Sequence, residues 1–175
     1  TYSKHLHPQD KSNRTIFGDG AAATLISSSM TPGIGNFVFG TDGKGAENLI
    51  VKSGAFRSKS MPQTDKTGHA IDNPTSDEHL HMNGPEIFNF TIGIINELVD
   101  RTLAVNSLTI GDIDRHVFHQ ANKYMLEYLR KKLDIPAEKF HIDLSETGNT
   151  VSATIPIALS SCLSTGLILP GNRVL

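Results

Sequence analysis

At 175 residues the chain is long enough for one domain with a sizeable core. Sixteen basic against eighteen acidic residues leave a net charge of −2, which gives no general electrostatic reason to expect nucleic acid or an anionic membrane as a partner. The single cysteine, Cys162, excludes an internal disulfide framework and suits a reducing cytoplasm, and no apolar run nears the roughly 20 residues of a membrane span.

The opening residues 1–13 are polar, and His5 and His7 flank Leu6. A His-x-His pair offers two metal ligands on one side of a strand, but no cysteine or carboxylate cluster completes a site, so the segment reads as a solvated loop without metal. No charged-then-apolar leader starts the chain. It begins at Thr1 in mid-pattern, which points to a fragment. Thr15 to Ser29 turns at Gly18-Asp19-Gly20 and continues through Ala21 to Ile26. Gly18 to Ala23 fits a loose dinucleotide fingerprint, with Asp42 about 20 residues on, but the helix that should hold the pyrophosphate has no room before Thr31-Pro32-Gly33. A strand with small residues for close packing is the better reading. Asn36 to Thr41, with Phe37, Val38 and Phe39, reads as a second strand closed by a turn at Asp42-Gly43.

Gly45 to Met82 shows no sustained period and reads as a long loop carrying His69, His79 and His81. Asn83 to Ala104 carries the clearest helix signal. Asn83 can cap, Pro85 suits the first turn and Glu86 stands in capping-box position. Ile87, Thr91, Ile94, Leu98 and Thr102 follow at helical spacing, with Phe88, Ile95, Val99 and Leu103 beside them, and Asn106 ends the element. Gly93 in its interior suggests a close contact there.

Arg115 to Ser164 reads as strand, polar turn, helix, strand, polar turn, helix. Val117-Phe118 runs into His119-Gln120-Ala121-Asn122, and Phe140, Ile142 and Leu144 alternate with polar residues before Gly148-Asn149-Thr150. Strands followed by helices connect in right-handed parallel crossovers, so both strand exits lie on the sheet edge where open α/β sheets bind ligands. His119 and Asn149 could thus converge as hydrogen-bond donors on one carbonyl oxygen, the arrangement that stabilises an oxyanion or enolate. The first of these helices is expected to start near His119 to Asn122 and to run to Leu133, with Met125, Leu129 and Leu133 inward and Lys123, Arg130, Lys131 and Lys132 outward. Thr150 to Thr165 carries no charge and reads as a helix buried on most sides, with Cys162 as an inert small hydrophobe deep within it.

The segments Phe17-Gly18-Asp19-Gly20-Ala21, His119-Gln120-Ala121-Asn122 and Gly148-Asn149-Thr150, the last followed by Ser152-Ala153 and Ile155-Pro156, resemble the β-ketoacyl-acyl-carrier-protein synthase III family in order and spacing. The resemblance implies a partial thiolase-like α/β fold, a mixed sheet with packed helices. Residues 1–82 would end the N-terminal half and cross over, residues 83–175 would form a truncated C-terminal half, and the first half and the closing strand would be missing. It implies His119 and Asn149 as catalytic residues holding a malonyl thioester oxygen. It also implies substrate contacts from Gly84, Phe88, Ala121 and Asn122, and a carrier-protein contact from Lys123, Arg130, Lys131 and Lys132. The family often has arginine where Tyr124 stands. The activity implied is decarboxylative condensation of an acyl-CoA primer with malonyl-acyl carrier protein, by a cytoplasmic homodimer that needs no cofactor beyond its coenzyme A thioester substrate. No residue here matches the family's nucleophilic cysteine, so the chain alone is expected to be inactive. A noncatalytic thioester-binding or interaction module, or a related acyltransferase, is the alternative.

Overall fold

The computed structural model describes residues 2–54 and 77–175, so His69 and most of the expected crossover loop lie outside the described residues. Among the described residues four α-helices, α1 (Lys11–Arg14), α2 (Gly84–Val105), α3 (Lys123–Lys132) and α4 (Thr154–Ser164), pack around short extended segments. Two two-residue strands, β1 (Leu49–Ile50) and β2 (His81–Met82), pair antiparallel inside the region expected to be loop.

The structural centre is the run Arg115 to Phe118. His116 bridges Phe140 in parallel and Arg115 bridges Val174 in parallel. His116 N–H donates to the Lys139 carbonyl (2.8 Å) and Val117 N–H to the Leu175 carbonyl (2.8 Å), so the run lies between two neighbours. This is the parallel arrangement that the strand–helix alternation predicts, and with β1–β2 it makes the sheet system mixed. Residues 173–175 supply rungs beside Arg115, at the place where the closing strand is expected to begin.

Alternation along the central run divides the core. Val117 points to α4, joining Ala158, Cys162 and Ile168, while Phe118 points the other way and packs against both Leu126 of α3 and the cluster that α2 and α3 share. Leu126, Ala158 and Cys162 are fully buried, and burial pushes the Cys162 thiol pKa up.

Helix ends follow their chemistry. The Asn83 side chain accepts from Glu86 N–H and Pro85 sits in the first turn. The reciprocal arm of a capping box is not made, because the Asn83 N–H donates to the Asn48 carbonyl instead. Asn106 caps the other end of α2, its amide bonding back to the Thr102 carbonyl. α3 starts at Lys123, after Asn122 accepts from Met125 N–H (2.8 Å), so His119 to Ala121 lie outside the helix.

Four further expectations need correction. On α2 the buried stripe is Ile95, Val99 and Leu103, whereas the neighbouring Leu98 stripe is only partly covered. Gly93 makes no close contact, since an added Cβ would meet nothing within 4 Å. α4 buries only Thr154, Ala158 and Cys162, leaving Ile155 and Leu163 exposed. Residues 20–42 form no strand among the described residues, and most of their apolar side chains stand in solvent, with Leu25 94 % exposed. A strand is stable only when a neighbour takes its backbone hydrogen bonds.

Candidate active site

The two strand exits are joined by Gln120. Its buried side-chain amide donates to the Phe118 carbonyl (2.7 Å) and the His141 carbonyl (3.3 Å), and its oxygen accepts from Asp143 N–H (2.7 Å). One side chain thereby supplies the rungs that the backbone stops making where the strands splay, and it fixes the Phe118–His119 peptide.

The Asn149 turn is held from another direction. Gly148 adopts φ +61°, and Asn149 bonds through its N–H to the Ile16 carbonyl (2.9 Å) and through its carbonyl to Gly18 N–H (3.0 Å). A Cβ on Gly18 would lie 1.9 Å from the Thr147 oxygen, and one on Gly20 would meet Thr150 and Ile157 within 3.0 Å. The glycines of Phe17-Gly18-Asp19-Gly20 therefore serve close approach to this turn, in line with the small-residue reading, and Phe17 bridges Asn149 in parallel. Val151, next but one, sits at φ +59°, an unfavourable conformation for a β-branched residue that costs on the order of 1–3 kcal/mol. Its N–H donates to the Asn149 side-chain oxygen (2.9 Å), which leaves the Asn149 NH₂ as that side chain's other polar end.

His119 Nδ1 lies 2.7 Å from the Thr154 hydroxyl in the first turn of α4. The ring keeps an exposed side, while packing on the other removes enough water to lower its pKa, an effect that a bond to the Val151 backbone opposes.

His119 and Asn149 line one cavity of about 990 Å³, with Gly84, Phe88, Ala121 and Asn122 also in its wall. Ile87, Ile95, Leu98 and Val117 make much of the remaining surface apolar. Within this set the roles differ. Phe88 meets Tyr124 at a tilt (ring centroids 5.7 Å) and Tyr128 edge-on (5.2 Å), whereas the Asn122 oxygen is committed to capping α3. Lys123, Lys131 and Lys132 are exposed on α3, but Arg130 is not part of that outer set. Its guanidinium is half-buried, bonded to Glu127 (3.1 Å) and to the Ile135 carbonyl (3.0 Å), because the chain reverses beneath it after Leu133.

Three residues escaped the sequence reading. Tyr124, noticed only as a departure, forms cavity wall; Thr154 touches His119; Val151 carries the strained turn. A hydroxyl in the first turn of an uncharged helix was a visible signal for Thr154. Nothing in a valine signals positive φ.

Among the described residues no group of three or more His, Cys, Asp or Glu side chains is placed to hold a metal ion.

The parallel run with helices on both faces and polar residues at its exits is a thiolase-like fold. Residues 103–175 match the family model described as 3-oxoacyl-[acyl-carrier-protein (ACP)] synthase III C terminal, and residues 1–43 match that described as 3-oxoacyl-[acyl-carrier-protein (ACP)] synthase III. The chain belongs to the 3-oxoacyl-[acyl-carrier-protein] synthase III family. Its similar relatives include a β-ketoacyl-[acyl-carrier-protein] synthase III of Clostridium tetani, 33 % identical over 100 % of this chain and 52 % of the relative. One from Symbiobacterium thermophilum is 35 % identical over 98 % of this chain and 50 % of the relative. A crystal structure of a 3-oxoacyl-(acyl-carrier-protein) synthase III is 46 % identical with a TM-score of 0.90, covering 99 % of this chain and 52 % of that one. The priming β-ketosynthase of the R1128 polyketide pathway superposes with a TM-score of 0.80 at 26 % identity, covering 99 % of this chain and 49 % of that one. The chain spans about half the length of the curated relatives it matches.

Proposed function

We propose that the protein to which this chain corresponds is an acyltransferase of fatty-acid synthesis that condenses an acyl-CoA primer with malonyl-acyl carrier protein and releases carbon dioxide. The observation that carries this reading is the convergence of His119 and Asn149, thirty residues apart, on one largely apolar cavity. In the reaction, His119 and Asn149 hold the malonyl thioester oxygen, so that the electron pair left by departing carbon dioxide is stabilised as an enolate. Gly84, Phe88 and Ala121 guide the thioester along the cavity wall, and Asn122 acts through the cap it provides.

The acyl-accepting cysteine belongs to the part of the parent outside this chain, because Cys162 is buried and its thiol is harder to ionise than usual. The chain alone is therefore inactive in condensation. Residues 1–82 and 83–175 belong to the two halves of the parent fold. The exposed Lys123, Lys131 and Lys132 attract the acidic carrier protein, with Arg130 serving the fold instead. The parent works as a cytoplasmic homodimer; no helix among the described residues is long and apolar enough to cross a membrane.

The test is the full-length parent assayed with acyl-CoA and malonyl-acyl carrier protein. His119→Ala and Asn149→Ala should each lower condensation by about 10²–10³-fold, and full activity in either variant would overturn the assignment. Intact-protein mass of this chain after exposure to acetyl-CoA and longer acyl thioesters should show no adduct. An adduct on Cys162 would restore chemistry to the chain and remove the need for an outside nucleophile.

A further inference from the structure

The hydrogens around the His119 ring decide which of its nitrogens is protonated when the ring is neutral. Nδ1 lies 2.7 Å from Thr154 Oγ1. The Thr154 hydroxyl has one hydrogen, and it donates to the Val151 carbonyl at 2.9 Å. With that hydrogen committed, the hydroxyl turns a lone pair toward Nδ1, and a lone pair on Nδ1 would confront it.

We infer that Thr154 is a positioning residue that holds neutral His119 in its Nδ1–H tautomer, leaving Nε2 as a lone pair. The strained turn at Val151 is part of the device, since φ +59° there brings the residue's N–H to Asn149 while its carbonyl serves Thr154. The inference deepens the proposed reaction and rests on it for its consequence. Neutral His119 has no Nε2–H to give a thioester oxygen. A donor at Nε2 exists only after the ring takes a second proton from solvent, which then stays on the imidazolium opposite the anionic enolate. The Asn149 NH₂ needs no such step. The two groups are thus unequal partners, one a permanent donor and the other a donor on protonation. No charged side chain from the packed elements is among the influences on the ring, which are burial and the Val151 backbone.

The tautomer is read directly, without substrate, by ¹⁵N NMR of this chain labelled at histidine, with His119 assigned as the signal lost in His119→Gln. At neutral pH the expected pattern is a protonated Nδ1 and an unprotonated Nε2. Thr154→Ser should preserve it, and Thr154→Val should shift the ring toward the Nε2–H form while the amide fingerprint stays folded. A wild-type ring already in the Nε2–H form overturns the inference, even if Thr154→Val fails to fold. An unchanged tautomer in a folded Thr154→Val chain overturns the role of Thr154. Because no reaction is involved, these results stand whether or not the parent condenses acyl groups.

Discussion

Residues 84–175 and residues 20–42 both carry strong apolar patterns, yet only the first converts them into a core. In the longer region Leu126 and Ala158 are 0 % exposed and Ile135 2 %, while in the shorter one Ile26 is 71 % and Met30 101 % exposed. Helices complete their backbone hydrogen bonds internally and need neighbours only for their apolar faces, whereas a strand needs neighbours for both. The contrast teaches that apolar pattern alone does not bury a segment. The sharpest way to break it is a pair of truncations measured by urea denaturation of this chain. Leu126→Ala should lower stability by about 2–5 kcal/mol, and Leu25→Ala should stay within about 0.5 kcal/mol. A comparable loss for Leu25→Ala would mean that residues 20–42 are packed in solution.

The next effect comes from the polar joint between strand exits. Replacing Gln120 by Met keeps the volume but removes three bonds to buried backbone groups, so Gln120→Met should cost about 1–3 kcal/mol. Stability near wild type would show that backbone rungs at Phe118, His141 and Asp143 close without the amide.

Buried imidazoles add a pH dependence confined to the packed region. His116 is 1 % exposed and the His141 side chain 11 %, and burial lowers both pKa values below the ordinary 6.5, with Asp143 opposing the shift at His141. The unfolded chain then takes up protons first as pH falls through 6.5. These groups therefore favour the folded state fully above that pH and progressively less below it. Urea midpoints should fall between pH 7.5 and pH 5, and His116→Gln should flatten the slope. A midpoint that rises on acidification contradicts neutral burial of these rings.

Much of the fold was legible where signals are local. Asn83, Pro85 and Asn106 marked α2 within a residue or two, and Asn122 and Pro136 bracketed α3. Parallel pairing at His116 and Phe140 followed from strand–helix alternation, and His119 and Asn149 were placed at strand ends from their context. What stayed hidden depends on distant partners. Nothing local says that Arg130 will bond the Ile135 carbonyl rather than face solvent, that Gln120 will replace sheet rungs, or that Thr154 will reach His119 across 35 residues. Beyond the Phe17 bridge, the strands expected through residues 20–41 failed for the same reason, since their partners are not specified by their own residues.

Gly93 offers the finest test of the two regions' relation. It lies on α2 away from the buried Ile95–Val99–Leu103 stripe, and with Asn89, Phe90 and Ile94 it faces Gly40, Thr41 and Asp42 across a gap of about 420 Å³. A glycine inside a helix costs up to ~1 kcal/mol relative to alanine, and the added Cβ meets nothing within 4 Å. With space available and a helical backbone already in place, Gly93→Ala should raise stability by about 0.5–1 kcal/mol. The same substitution probes the gap itself. If residues 40–42 close onto α2 in solution, the methyl group meets their backbone and the gain disappears or reverses. A gain in urea denaturation therefore means that the outer face of α2 is uncovered, and a loss means that this end of the exposed segment is docked.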